Sequence, residues 1–444
     1  MNLRRVTHSI LGVMLIAALT WGSSVSPAST TRGSARSSAK GISFGVHPTG
    51  FSGAEPTLGV LKDGSIIAQA FENAIKSTDG GKTWESVHTP PSGALSLDPF
   101  VHVDEKTDRI LSSQLLGACQ MLSLSDDGGD TWTDVPTQCP TGDHQKLGSG
   151  PWAEPLGKPY ERSFYTCVND VGDTACVVSV DGGLTWLPPV TVFPGIDPTA
   201  DQGVNGVAGL CGGLEGDPVS GPDGTIYLPR EYCGRPFVGV SKDDGLTWST
   251  HYVAPGSQTR PIAYGGNNPS VSVDKTGTVY YAWTGDDWRH HVAFSKDQGK
   301  TWSKPVVVSQ KGGSTTFPQI IGGAKGRAAT AFVGTPDSPE GPDGADKKSR
   351  WYLYVSYSLN ADSNDAKWET VRVSNNVVQI GCIGRHGPTC GNGNLLDFND
   401  TAWTKDGRLA VVYTDGCLKK CTDAESSKGS ETTVAIQNSG PKFR

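Results

Sequence analysis

One eight-residue pattern, Ser-x-Asp-x-Gly-x-Thr-Trp, occurs five times in the chain: Ser77–Trp84, Ser125–Trp132, Ser179–Trp186, Ser241–Trp248 and Ser295–Trp302. A glycine at the fifth position supplies the positive φ of a tight hairpin, and the Asp and Ser/Thr oxygens can bond the turn's own amides. The tryptophan returns a large apolar surface beneath the sheet, where one indole per hairpin can pack between neighbouring sheets. The pattern therefore reads as a hairpin staple. Successive copies start 48, 54, 62 and 54 residues apart, the length of a four-stranded propeller blade with loops of varying size.

A second unit precedes each staple. It opens on a polar residue and proline, at Glu55-Pro56, Asp98-Pro99, Glu154-Pro155, Asp217-Pro218 and Asn268-Pro269, then passes through a short strand and a turn into a β-branched or aromatic strand. Two further copies follow the last staple, at Phe317-Pro318 and at Asn399-Asp400. In the sixth unit the staple is degraded to Ser358–Trp368, with Asp362 or Asp365 as its surviving acid. The seventh unit keeps a hairpin and one more strand, Thr432–Gln437, and lacks a fourth. Gly41–Val46, from the other end, is placed to supply it and so remove two exposed sheet edges. The expectation is an all-β, seven-bladed propeller of four-stranded blades, with six blades as the alternative.

Residues 1–28 read as a secretory leader, with Arg4 and Arg5 ahead of the apolar run Ile10–Leu19 and the small residues Ser26-Pro-Ala28 at the cleavage position. Residues 29–40 read as a polar lead-in and 41–444 as a single propeller domain, expected to be secreted. Removing 1–28 takes two arginines and no acid, so the formal charge moves from −7 to −9. An acidic surface argues against nucleic acid or an anionic membrane as partner. Ten cysteines in an exported chain favour disulfides. Proximity suggests Cys119–Cys139, Cys167–Cys176, Cys211–Cys233, Cys382–Cys390 and Cys417–Cys421.

The repeated octapeptide is the Asp box, or bacterial neuraminidase repeat, and the chain resembles the sialidase-like superfamily of Asp-box propellers over essentially all of 41–440. The resemblance implies a substrate mouth on the face opposite the boxes, built from loops entering each first strand and loops joining second to third strands. The Phe/Tyr-Arg-Ile-Pro element that gives sialidases the first of their carboxylate-gripping arginines is absent here. Arg260-Pro261-Ile262 is an echo of it in the wrong blade.

Projected onto that face, the sequence gathers candidate substrate-binding residues Arg230, Arg235, Arg260, Arg385, Trp288, Arg289, Glu55, Asp98 and Glu154, and candidate catalytic residues Tyr232, Glu231, Asp217 and His144. The resemblance implies a tyrosine nucleophile with a glutamate as its base. Glu231 and Tyr232 are adjacent, so they can serve one substrate only from a loop. The plainer role for Arg230 and Glu231 is an ion pair bracing a blade. The acids before proline can equally be strand caps. If they do converge, they must be protonated, paired with arginine or bridged by a cation. His144, beside Asp143 and Lys146, is a candidate general acid or base or an idle surface histidine. The box tryptophans are read as structural.

The leading functional expectation is a carbohydrate-active enzyme cleaving glycosidic bonds in an acidic oligo- or polysaccharide. The alternatives are a uronate lyase using Tyr232 or His144 as base, and a non-catalytic glycan- or protein-binding propeller. No cofactor is expected beyond a structural or channel-mouth cation such as Ca2+. The chain is expected to act as a monomer, without nucleic acid or, after leader cleavage, a membrane.

Overall fold

The computed structural model describes residues 41–89, 98–116, 119–138, 142–154, 159–170, 173–199, 209–259, 268–384, 393–418 and 420–444. The leader and lead-in, Arg260, Arg385, Cys139 and Cys390 lie outside the described residues. Seven antiparallel sheets follow one another along the chain. The innermost strands of blades one to seven are Leu58–Val60, Phe100–Val103, Asp143–Gly150, Val219–Ser220, Ser270–Val273, Ser314–Gly322 and Asp400–Trp403. Residues of all seven line one cavity of about 400 Å3, the axial channel.

The ring closes as the sequence predicts. In blade seven the order from inside to outside is Asp400–Trp403, Leu409–Asp415, Glu431–Ser439 and Ser43–Ser52. Ser43–Ser52 runs antiparallel to Glu431–Ser439, with Gly45 opposite Ile436 and His47 opposite Val434.

Each Asp box closes on itself in one way. Ser77 Oγ donates to Asp79 Oδ1 (2.9 Å) and accepts from Gly81 N (2.9 Å). Asp79 then accepts from Thr83 N (3.0 Å) and Thr83 Oγ1 (2.7 Å), and Trp84 Nε1 donates to the Gly81 carbonyl (3.0 Å). These bonds to the ionised form hold the Asp79 carboxyl below the usual range. The other four boxes repeat the Ser–Asp–Thr set, and only the third lacks the indole bond. The tryptophans are half-buried between blades. Trp132, for instance, packs on Leu61, Ile67, Val101, Val103 and Ile110 of blades one and two.

The sixth staple differs from expectation. Asn360 holds the acid's place, accepting from Ser358 Oγ (3.2 Å) and Lys367 N (3.0 Å), while Asp362 pairs with Lys296 at 3.7 Å and Asp365 joins the turn through its backbone, its carbonyl accepting from Asn360 Nδ2 at 3.3 Å. A carboxamide oxygen accepts the same amides as a carboxylate, so the turn needs no acid there. A second correction concerns blade three. Its inner strand is Asp143–Gly150, upstream of Glu154-Pro155. Glu154 therefore lies in the connection from first to second strand, where its neighbour Ala153 N donates to Asp244 Oδ1 of the fourth Asp box at 2.7 Å. Glu154 is exposed on the box face and is not a mouth residue.

The expected disulfides Cys167–Cys176, Cys211–Cys233 and Cys417–Cys421 are present. Cys119 and Cys382 are also disulfide-bonded. Such bridges persist in oxidising compartments.

The box glycines also set blade spacing. Gly245 has φ +85°, and a Cβ there would sit 2.5 Å from Val178 Cγ2 of the preceding blade, whereas Gly80, at φ +75°, faces open space. Gly80→Ala should therefore cost about 1 kcal/mol from the left-handed backbone alone, and Gly245→Ala about 3 kcal/mol with the clash added. Denaturant melts of the two variants check this, and equal losses would contradict blade-to-blade contact through the box.

Candidate active site at the channel mouth

Antiparallel order puts the starts of all inner strands at one end of the channel, opposite the Asp boxes. In a twisted ring these starts converge, so polar residues just ahead of them are forced together. The backbone adds a local device. Glu55, His144, Phe317 and Leu396 have φ of 53°, 61°, 56° and 52°. Bulges interrupt the ladders between Asp143 and Lys146 and between Thr316 and Gln319. Bulges re-aim side chains that alternation would place elsewhere.

The result is a crown of carboxyl groups around one ammonium. Lys146 is buried, with Nζ 3.1 Å from the centroid of Phe398, 5.2 Å from that of Phe100 and 3.8 Å from Asp217 Oδ1. Gln319 Nε2 donates to both Asp217 Oδ2 (2.9 Å) and Asp400 Oδ1 (3.0 Å). Asp400 Oδ2 also accepts from Leu58 N at 2.9 Å. Burial and then Asp217 push the Asp400 carboxyl up to about 7. On the other flank Asp98 lies against Asp143, and burial followed by the Asp143 charge pushes Asp98 up to about 7. Glu55 lies against Asp397. Burial, with Asp397 and Asp98 adding to it, holds the Glu55 carboxyl well above its ordinary value. His144 is buried beside Asn268 (Nε2 to Nδ2, 3.2 Å) and edge-on to Phe398. Burial, then Lys146, drives its pKa well down, so the imidazole is neutral.

Glu55, Asp98, Asp217 and His144 thus meet as expected, and the sequence reading passed over Asp397, Asp400, Gln319 and Glu215. Glu215 had a usable signal, because it stands two residues before Asp217 and so on the same face of an extended segment. It is buried and bridged to the strand of Arg230, and burial pushes its carboxyl up to about 7 against the opposing pull of Arg230.

The Arg230–Arg235 cluster is a hairpin, not a loop. Ile226–Tyr232 and Arg235–Ser241 pair directly, with Cys233 (φ 50°) and Gly234 (φ 71°) as the whole turn. Side chains alternate, so Glu231 and Tyr232 part. Glu231 Oε1 accepts from Gly234 N (2.7 Å) and Thr259 Oγ1 (3.1 Å). Tyr232 donates to the Pro194 carbonyl at 2.8 Å and packs between Phe193 and Phe237. Burial raises its pKa. A nucleophile–base pair is therefore not formed. Arg230 is fully buried near the Phe193 and Tyr232 rings, with Glu215 the first of the carboxyl groups whose charge acts on it. Arg235 lies over the Tyr252 ring of the outermost strand, away from the axis. Arg289 is tied to Ser309 (Nη2 to O, 2.8 Å), and Trp288 is laid against Gly341. These positions do not reach the crown.

The comparisons agree with this architecture. The BNR/Asp-box repeat family matches residues 293–304, the fifth box. The structure is a seven-bladed propeller carrying BNR/Asp-box repeats. A sialidase of Bacteroides fragilis (strain YCH46) is 23% identical over 251 residues, 52% of this chain and 36% of the relative, so the match spans about a third of that protein's length. Among solved structures, a protein of unknown function from Dyadobacter fermentans aligns over 91% of this chain and 99% of its own, with 17% identity and a TM-score of 0.46. A fungal alcohol oxidase of the AA5 family, in complex with copper, aligns over 90% of this chain and 76% of its own, with 10% identity and a TM-score of 0.52. These likenesses concern the fold.

Burial pushes Glu231 up to about 7. A carboxyl whose folded pKa is raised binds more protons folded than unfolded between about pH 4.5 and 7. Its contribution is thus full below that window and lost as pH rises through it. Glu231→Gln keeps an acceptor for Gly234 N and Thr259 Oγ1, so the variant should melt above the parent at pH 8, by roughly 2 kcal/mol, and match it at pH 4.5. Thermal melts across that range check it, and a pH-independent difference would contradict a buried, proton-holding Glu231.

Proposed function

We propose that the chain is a secreted glycoside-cleaving enzyme whose reacting groups stand in the carboxyl crown. The observation behind this reading is the pairing of two accessible carboxyl environments around Lys146. Half-exposed Asp98 is pushed up to about 7 by burial and the exposed Asp143 beside it, and half-exposed Asp217 is held as an ion pair by Lys146 and oriented by Gln319. Glycosidic cleavage needs such a division, one carboxyl to protonate the leaving oxygen and another to attack or activate water. Asp98 is the proposed acid and Asp217 the proposed nucleophile or base. Lys146 fixes Asp217, with its charge confined by the two phenyl faces.

The charge balance bears on the substrate. Glu55, Asp98, Asp143, Asp217, Asp397 and Asp400 surround a single lysine, so the ring at the cleaved bond is proposed to be uncharged. An acidic residue elsewhere on the glycan, away from the cleaved bond, is the form of the acidic-glycan expectation proposed here. The lyase alternative loses its bases, since Tyr232 is committed to a carbonyl and His144 is buried.

Incubation with neutral glycosides, sialosides and uronate polysaccharides tests the reading. New reducing ends from substrates neutral at the cleaved position are expected. Unsaturated uronate products, or binding with no cleavage, would overturn it. On the best substrate, Asp98→Asn and Asp217→Asn should lower kcat by about 100-fold or more, and Tyr232→Phe should leave it within about 3-fold, because its hydroxyl lies outside the crown.

A further inference from the structure

Three buried or half-buried groups of the crown form a second constellation. One donor atom each of Glu55, His144 and Asp397 lies within 4.8 Å of the others. Glu55 and His144 are 1% and 2% exposed. Among the described residues Glu55 Oε2 and His144 Nδ1 have no hydrogen-bond partner. Buried polar atoms are seldom left so, and two in one cluster of ligating groups ask for a ligand that answers both. Proton-sharing between Glu55 and Asp397 satisfies one carboxyl oxygen and leaves the imidazole unanswered.

We infer that Glu55, His144 and Asp397 form a binding site for a divalent transition cation of the Zn2+ or Mn2+ class. Donors at the outer limit of that spacing must draw together by about 1 Å to hold one ion with bonds of ~2.0–2.2 Å. A partner for the other ring nitrogen is already in place. Asn268 reaches His144 Nε2, and its Oδ1 is otherwise without a partner. With the amide turned so that Oδ1 accepts Nε2–H, both Asn268 Oδ1 and the ring nitrogen are satisfied, and Nδ1 presents its lone pair. A metal-bound histidine is typically oriented through its other nitrogen in this way. Phe398 fixes the ring edge-on at 5.5 Å. The ion would displace the proton between Glu55 and Asp397, and two carboxylates then balance its charge. Lys146 remains the counter-ion of Asp217. One imidazole with two carboxylates selects against Ca2+, which takes six to eight oxygens, and for a first-row ion that accepts nitrogen. This narrows the expectation of a mouth cation such as Ca2+. The inference is independent of glycoside cleavage, since no ligand is one of the proposed reacting groups.

The test is titration calorimetry on the chelator-treated mature chain at pH 7.5 with Zn2+, Mn2+ and Ca2+, each as the free ion. One site is expected for Zn2+ or Mn2+, with Ca2+ at least 10-fold weaker. Affinity should fall about 100-fold or more in His144→Ala and Glu55→Gln, and about 10- to 100-fold in Asn268→Ala. A wild-type chain with no such site, a preference for Ca2+, or binding unchanged in His144→Ala and Glu55→Gln would overturn the inference. Should those variants fail to fold, the electron paramagnetic resonance of Cu2+ at one equivalent on the wild-type chain decides. Coupling to one nitrogen supports the site, and coupling to none or to several overturns it.

Discussion

The structure depends on one pairing between distant parts of the chain, Ser43–Ser52 against Glu431–Ser439. Without it blade seven has three strands, two sheet edges lie open, and the first and last blades have no reason to meet. Closing the ring also fixes the axis. Seven inner strands of one direction then bring the residues ahead of them to a common centre, whatever those residues are. The crown around Lys146 is a consequence of closure, and its properties follow from crowding. Carboxyl groups held this close cannot all be charged, so some share protons, one pairs with the lysine, and the set spans several protonation states.

The Asp boxes work at the other end of the same blades. Their acids are exposed or half-exposed, bonded to their own turns and held ionised, as Asp79 shows. The crown acids are withdrawn from water and pushed the other way. The contrast between Asp79 and Asp98 is environmental. Serine, threonine and amide donors stabilise one carboxylate, whereas burial and another carboxyl destabilise the other. Two rings of acids in one fold therefore have opposite uses, the first in holding neighbouring blades at their spacing and the second in the chemistry proposed for the mouth.

Much of the architecture was legible because local patterns repeat. The five octapeptides, the polar-Pro units and the missing fourth strand led to seven blades and to closure by residues near 41–46. The failures have local causes. Blade three was misplaced because its inner strand, Asp143–Gly150, is polar and carries Lys146, while the strand signal at Glu154-Pro155 belongs to a connection. The sixth box was misjudged because an asparagine accepts the amides an aspartate would. At the site, Glu55, Asp98 and Asp217 were found because they precede inner strands, and His144 because the segment at the start of blade three's inner strand was read as a loop at the same mouth. Lys146 was seen only as a loop neighbour, because a bulge that re-aims a side chain leaves no periodic trace. The Arg230–Tyr232 cluster misled through the chemistry of its residues. A two-residue turn at Cys233-Gly234 keeps Glu231 and Tyr232 on a strand, where alternation separates them.

The central claim is that the mouth where inner strands begin, and neither the box face nor the Arg230–Arg235 hairpin, takes the sugar. Its most direct test is a crystal structure of the mature chain with a non-cleavable analogue of the best substrate from the glycan panel. The account predicts a sugar ring over the crown, with the analogue's bridging atom within hydrogen-bond distance of Asp98 and its anomeric carbon facing Asp217. A sugar seated on the Asp-box face, or held at the hairpin with the crown unchanged, would contradict it.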